Sequence, residues 1–144
     1  MVLIKTPEIA DAAAISALMK SLGYPGTELF MERRIAQLIS YPFESLLIAV
    51  DNKNIVGVIS LHFIPQLALA GDFCRISYFC VSDKARGRGI GAMLEAHAVT
   101  LAQNRGCDRI ELHCHSRRTD AHRFYFRQGY TESPKYLYKS LRET

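Results

Sequence analysis

Arg86-Gly87-Arg88-Gly89-Ile90-Gly91 stands just after a β-branched and aromatic run, Phe73 to Val81 (FCRISYFCV), with Ser82-Asp83-Lys84-Ala85 between them. It stands directly before an amphipathic helical run bearing Ile90, Leu94, Val99 and Leu101. Strand, glycine turn and helix in that order make an anion-binding geometry. Glycines let successive N–H groups point into one concavity and the positive end of the helix dipole adds to them, so a pyrophosphate is held with little need for side chains. Arg86 and Arg88 supplement that charge. The residue order differs from the dinucleotide fingerprint, whose first glycine opens the motif, and from the Walker loop, which ends in Gly-Lys-Ser/Thr.

Working toward the N-terminus, Ser45 to Val50 and Ile55 to Ile64 are β-branched runs separated by Asp51-Asn52-Lys53-Asn54, a sequence suited to a hairpin. Before them, a strand Val2 to Lys5 leads through Thr6-Pro7-Glu8, a cap-like residue and a helix-opening proline, into a helix with Ile9, Ala13, Leu18 and Leu22 on one face. Gly23 to Gly26 stops it, and a second helix is predicted from Thr27 to about Ser40 with Leu29, Phe30, Ile35, Leu38 and Ile39 buried. Toward the C-terminus the pattern alternates: a helix from about Gly89 to Arg105, a strand Arg109 to Cys114, a helix from about Thr119 to Gln128, and a last strand around Lys135 to Ser140.

These 144 residues, 49% apolar and 22% charged, suit one autonomous core without disorder or covalent staples, and a single domain over 1–144 is expected. Cys74, Cys80, Cys107 and Cys114 form no CxxC pair and read as reduced, small buried groups. The first residues are too short an apolar run for a signal peptide and no run reaches membrane-spanning length, so a cytoplasmic protein without a membrane partner is expected. The net charge of +4 is uneven: residues 81–130 hold nine Lys/Arg against five Asp/Glu. Excess positive charge attracts nucleic acid, a membrane surface or a phosphorylated cofactor alike, so the motifs must choose.

They choose through resemblance. Arg86, Gly89 and Gly91 match the acetyl-CoA loop of the GNAT superfamily of N-acetyltransferases, (Gln/Arg)-x-x-Gly-x-(Gly/Ala). Further on, Ala121 to Tyr130 (AHRFYFRQGY) resembles that superfamily's C-terminal signature, a helix with Phe-Tyr, a glycine stop and an aromatic residue. The order of elements agrees over nearly the whole chain. The resemblance implies an α+β, three-layer GNAT fold: a mixed, mostly antiparallel sheet of six to seven strands flanked by about four helices.

It also implies acetyl-CoA as co-substrate and a primary amine, of a small molecule, as acceptor. Leu61-His62-Phe63 and Asp120 to Gly129 look most like aminoalkylphosphonate N-acetyltransferases, with aminoglycoside and polyamine acetylators nearby. Attack of an amine on a thioester needs an oxyanion donor, a route for the amine proton and an acid for the sulfur. By resemblance, the backbone of Phe79, Cys80 and Val81 pairs with the pantetheine arm, and Arg86, Gly87, Arg88, Gly89, Ile90 and Gly91 hold the pyrophosphate. Tyr125 is the acid, since a phenol is protonated at neutral pH and hydrogen-bonds to a departing thiolate. Arg118 stands where many relatives have asparagine and is read as a contact to a cofactor phosphate.

The base is open. Many relatives carry a carboxylate on the strand before the loop, and Arg75 to Phe79 contains none. Alternation places Glu111, His113 and His115 on one strand face, so either histidine, or water, serves. His113 and His115 lack a third ligand, so no metal site is expected. His62 and His97 are given no chemistry. A protein N-terminal or lysine acetyltransferase, and a non-catalytic acetyl-CoA-binding protein, are the alternatives; nucleic acid is not the expected partner. Many relatives dimerise, which makes a homodimer compatible with the resemblance.

Overall fold

Phe73–Val81 is the fourth strand (β4) of a five-stranded sheet in the computed structural model, which describes residues 1–114, 118–133 and 136–142. The other strands are β1 (Val2–Lys5), β2 (Glu44–Asp51), β3 (Asn54–Ile64) and β5 (Arg109–Leu112), in the order β1-β2-β3-β4-β5. The first three pairings are antiparallel and β4–β5 is parallel. A parallel pair needs a crossover, which helix α3 (Ile90–Asn104) supplies. Helices α1 (Ala12–Leu22) and α2 (Met31–Ser40) precede β2, and α4 (Thr119–Arg127) follows β5. Contacts divide the chain into two compact units, Met1–Leu112 and His113–Thr144.

In the first unit the sheet is covered on both faces. One face packs Ile59, Leu61, Phe63, Cys74 and Ile76 against Ile90, Leu94, Ala98 and Ala102 of α3. The other packs Leu46, Ile48, Val58 and Cys80 against Ile15, Leu18 and Met19 of α1 and Met31 and Ile35 of α2. Leu94 and Ile35 are fully enclosed, and burying a side chain of that size contributes roughly 1.5–3 kcal/mol. The β2–β3 hairpin turns at Asn52 and Lys53, with φ of 49° and 71°. Two successive left-handed residues match the right-handed twist of the flanking strands.

A β-bulge governs what β4 presents. Leu61 pairs with Ile76 but Ser60 pairs with Tyr78, so Ser77 is the extra residue. Because side chains alternate with period two, one inserted residue exchanges the faces. Cys74 and Ile76 therefore lie in the α3 core, whereas beyond the bulge Phe79 packs on that side and Cys80 enters the α1/α2 core.

Several local expectations are corrected. The first helix is entered by a 3-10 turn at Ile9–Asp11 in which the Glu8 backbone N–H donates to Asp11 Oδ2 at 2.8 Å, so the cap lies at Glu8 rather than Thr6. Thr27–Leu29 is a separate 3-10 turn, and α2 begins at Met31. That break rotates the apolar stripe: Met31 and Ile35 are buried, while Leu29, Phe30 and Ile39 are exposed. The sheet has five strands among the described residues rather than six to seven, and the fifth ends at Leu112 rather than Cys114.

In the second unit α4 ends before Gly129, whose φ is 93°. Tyr125 meets Phe124 and Tyr130 edge-on at centroid distances of 5.4 and 5.6 Å. Residues 136–140 form no strand, and Lys135 lies outside the described residues. The alternation Tyr136-Leu137-Tyr138 is β-like, but a strand needs a ladder partner for its backbone groups. Here Tyr136 instead stacks on His113 at 4.0 Å and on Tyr138 at 6.1 Å. No helix among the described residues is long and apolar enough to cross a membrane.

Candidate active site

The glycine turn adopts the conformation its sequence predicts. Gly87 and Gly89 have φ of 81° and 76°, a region costly for residues with a Cβ, and no atom lies within 4 Å of where a Cβ would stand on either. Gly89 is the N-cap of α3 and no side chain caps that helix. The first-turn N–H groups of an α-helix have no partner within it, so Ile90 and Gly91 open a donor-rich terminus beside exposed glycines. Ile90 itself points its side chain into the α3 core, which anchors the turn.

Both arginines of the turn are engaged. Arg86 pairs with Asp83 at 2.9 Å, and Arg88 Nη1 donates to Asp51 Oδ2 at 2.7 Å, tying the turn to the end of β2. The hydrogen bond from Arg88 holds the Asp51 carboxyl below its usual range. The turn sets Arg86, Gly87, Arg88 and Gly89 beside the N-terminus of α3, the residues read from the sequence as an anion site.

Beside it, β4 outruns its parallel neighbour. The β4–β5 ladder ends at Ile76–Leu112, whereas β4 continues to Val81 and keeps its pairing with β3 as far as Gly57–Val81. Phe79, Cys80 and Val81 all lie in this extension. The Cys80 side chain is buried, with its thiol donating to Leu18 O at 3.4 Å, so only its backbone belongs to the strand edge. Tyr78, on the bulge, meets Tyr24 edge-on at 5.3 Å.

Across the other end of the sheet runs a row of polar side chains that sequence reasoning did not connect. Glu44 of β2 is in register with His62 of β3, His62 with Arg75 of β4, and Arg75 with Glu111 of β5. His62 Nδ1 contacts Glu44 Oε2, and His62 Nε2 lies 2.5 Å from Ser77 Oγ on the bulge. Arg75 donates to Glu111 Oε1 from both Nε, at 3.0 Å, and Nη2. Glu111 thus neutralises Arg75. The signal available in the sequence was the hairpin, from which cross-strand partners are counted, but two register shifts intervene.

In the second unit, Tyr125 lies on α4, part-buried among aromatic rings, and Arg118 is exposed as the residue preceding that helix. His113 is exposed and outside any strand; His115 and Arg117 lie outside the described residues. All four cysteines are free. Burial pushes the Cys74 thiol up to about 12, with a smaller push from Cys107, and burial also raises Cys107 and Cys114. Protonated thiols are poor nucleophiles. Among the described residues no group of three His, Cys, Asp or Glu is placed to hold a metal ion.

The aminoalkylphosphonate N-acetyltransferase of Salmonella typhimurium is 38% identical over 94 residues, which make up 65% of this chain and 61% of that relative. The chain thus spans about three-fifths of the curated relative it matches. The crystal structure of a transcriptional regulator from Bacillus halodurans superposes with a TM-score of 0.88 at 25% identity, covering 98% of this chain and all of that one. Glucosamine-6-phosphate N-acetyltransferase from Arabidopsis thaliana shares the fold at a TM-score of 0.86 and 19% identity, with 99% of each chain covered. The acetyltransferase (GNAT) family, whose members use acetyl-CoA, matches residues 12–130. The family match over residues 12–130 makes the chain a member of the acetyltransferase (GNAT) family.

Proposed function

We propose that this protein transfers the acetyl group of acetyl-CoA to the primary amine of a small molecule, by direct attack of the amine on the thioester. The α3 N-terminus at left-handed Gly89, with no side-chain cap and preceded by left-handed Gly87 and two arginines, is the observation that carries the cofactor reading. On this reading Arg86, Gly87, Arg88, Gly89, Ile90 and Gly91 hold the pyrophosphate, the backbone of Phe79, Cys80 and Val81 runs beside the pantetheine arm, and Arg118 meets a phosphate. Tyr125 hydrogen-bonds to the departing thiolate and supplies its proton: phenols ordinarily titrate near roughly 10, so the group is protonated at neutral pH and available as charge builds on sulfur.

The likeness to an aminoalkylphosphonate N-acetyltransferase favours an acceptor that carries an anionic group beside its amine. We further take residues 1–144 to act as one acetyltransferase domain in the cytoplasm. The test is thiol release from acetyl-CoA against aminoalkylphosphonates, aminoglycosides, polyamines and short peptides, with wild type and Tyr125→Phe. Selective turnover on a small amine, falling at least about tenfold in kcat for the variant, supports the assignment; about tenfold corresponds to 1.4 kcal/mol of barrier. Turnover confined to peptides overturns the small-molecule acceptor, and absence of CoA binding overturns the whole reading.

A further inference from the structure

The acceptor amine is largely protonated at neutral pH, since primary alkylamines titrate near roughly 10, and an ammonium has no lone pair with which to attack. A proton acceptor is therefore required close to the reacting atoms. We propose that His62, oriented by Glu44, is that base, and that the proton reaches it through the hydroxyl of Ser77. This rests on the acetyl-transfer reading above.

Three observations carry it. First, Ser77 is the inserted residue of the β4 bulge, exposed, and it begins the stretch that extends past the β5 ladder toward Val81. A donor arm lying along Phe79–Val81 brings its thioester to this stretch, and a productive nucleophile must come within about 3–3.5 Å of the thioester carbon. Second, the Ser77 hydroxyl has a short partner in His62 Nε2, at 2.5 Å, against a long alternative in Ser60 O at 3.5 Å. Third, Glu44 Oε2 is shielded from solvent, and among the described residues no partner other than His62 Nδ1 reaches it. A buried carboxylate oxygen without a donor is costly, so the imidazole carries its proton on Nδ1 and directs it at Glu44. The Nε2 lone pair then faces Ser77 Oγ. This tautomer is assigned from the network.

The arrangement has the logic of a carboxylate–imidazole–hydroxyl relay, in which the carboxylate fixes the tautomer and stabilises the imidazolium. The steps balance. The acceptor ammonium gives a proton to Ser77 Oγ as Ser77 gives its own to His62 Nε2. The free amine attacks the thioester carbon, the C–S bond breaks as Tyr125 protonates the departing sulfur to a thiol, the second amine proton restores Tyr125, and the imidazolium returns the first proton to water. The charged groups facing His62 are Glu44 from β2 and Arg75 from β4, and Arg75 is itself held by Glu111 of β5. Glu44 is thus the charged group in contact with the ring, and Arg75 is engaged by Glu111.

The experiment is steady-state acetylation of the best amine from the panel, from pH 7 to pH 10, by wild type, His62→Gln, Glu44→Gln and Ser77→Ala. CoA titration and thermal melting of each protein accompany it. His62→Gln is expected to lose about a hundredfold or more in kcat/KM at pH 7, within the usual reach of general-base catalysis, with CoA affinity unchanged. The deficit shrinks as pH nears the amine's own pKa, because free amine no longer needs a base; a cross-strand contact that only stabilised the sheet would show no such convergence. Glu44→Gln and Ser77→Ala follow the same pattern with smaller losses, and decide the matter if His62→Gln does not fold. An active wild type with variants within twofold of it at pH 7, or a deficit constant with pH, overturns the proton route and leaves the acetyl-transfer reading standing. A wild type that turns over no amine overturns both. An acetyl group found on Ser77 by mass spectrometry after acetyl-CoA alone overturns the base assignment in favour of a serine nucleophile.

Discussion

Replacing Gly89 with alanine separates the conformational demand of the turn from its proposed role in holding pyrophosphate. Gly89 has φ of 76° and no atom within 4 Å of a Cβ, so the added methyl meets no protein atom and its cost in the free protein is backbone strain alone. Left-handed geometry costs an L-residue about 1–2 kcal/mol. The stiffer unfolded chain gives back about 0.5 kcal/mol or more. A net destabilisation of about 1 kcal/mol is expected in urea denaturation at a common m-value. Gly23→Ala is the control, since Gly23 has φ of 112°, equally open surroundings, and a place at the far end of α1. It should lose stability to the same degree. Only Gly89→Ala should weaken CoA, because its methyl stands where the α3 N–H groups would meet an anion. Losing one charge-assisted hydrogen bond costs about 1.5–3 kcal/mol, or about ten- to a hundredfold in Kd, read by calorimetric titration at fixed salt. A CoA affinity within twofold of wild type, alongside the expected loss of stability, would refute the placement of the pyrophosphate on this turn. Unchanged stability in both variants would refute the strain argument.

Two further outcomes test the packing. Leu94→Ala, at a fully buried position facing the sheet from α3, should lower stability by about 2–5 kcal/mol in denaturant titration, and a loss under about 1 kcal/mol would mean that α3 does not seal that face. Cys74, held up to about 12 by burial, should resist alkylation at pH 8 until the protein unfolds. Because its folded pKa lies above the ordinary thiol value of 9.0, its contribution to stability is complete below pH 9 and declines as pH rises toward 12. Cys74→Ala should flatten that alkaline decline, and rapid labelling of native Cys74 would contradict its burial.

Much of the fold is legible in the residues themselves. The glycine spacing from Arg86 to Gly91 carried its own geometric demand, and both left-handed glycines stand where that demand places them. Strand β4 has the bounds read from its β-branched run, and the Asp51–Asn54 turn closes the hairpin as expected. These are local properties, set by φ preferences and by side-chain periodicity. Less local readings failed in the same physical way. Of the stripe read for α2, Ile35 and Leu38 pack inward while Leu29 and Phe30, set off by a 3-10 turn, and Ile39 are exposed, and Tyr136 to Ser140 has strand-like alternation but pairs with no strand among the described residues.

What the chain determined by itself, then, was its family, its layers and its left-handed glycine turn, because each is written in contiguous residues. What only the tertiary structure decided was the meeting of Glu44, His62 and Ser77. Counting back from the hairpin without interruption sets Glu44 against Leu61, and it is the shift between Ala49 and Val50 that sets it against His62. A second shift, beyond Leu61, inserts Ser77 at the bulge beside that histidine. A register offset of one residue leaves no trace in composition or periodicity, yet it exchanges every side chain between the two faces of a strand. The imidazole that sequence reading set aside as ordinary acquires a carboxylate on one nitrogen and a hydroxyl on the other only when three strands are paired.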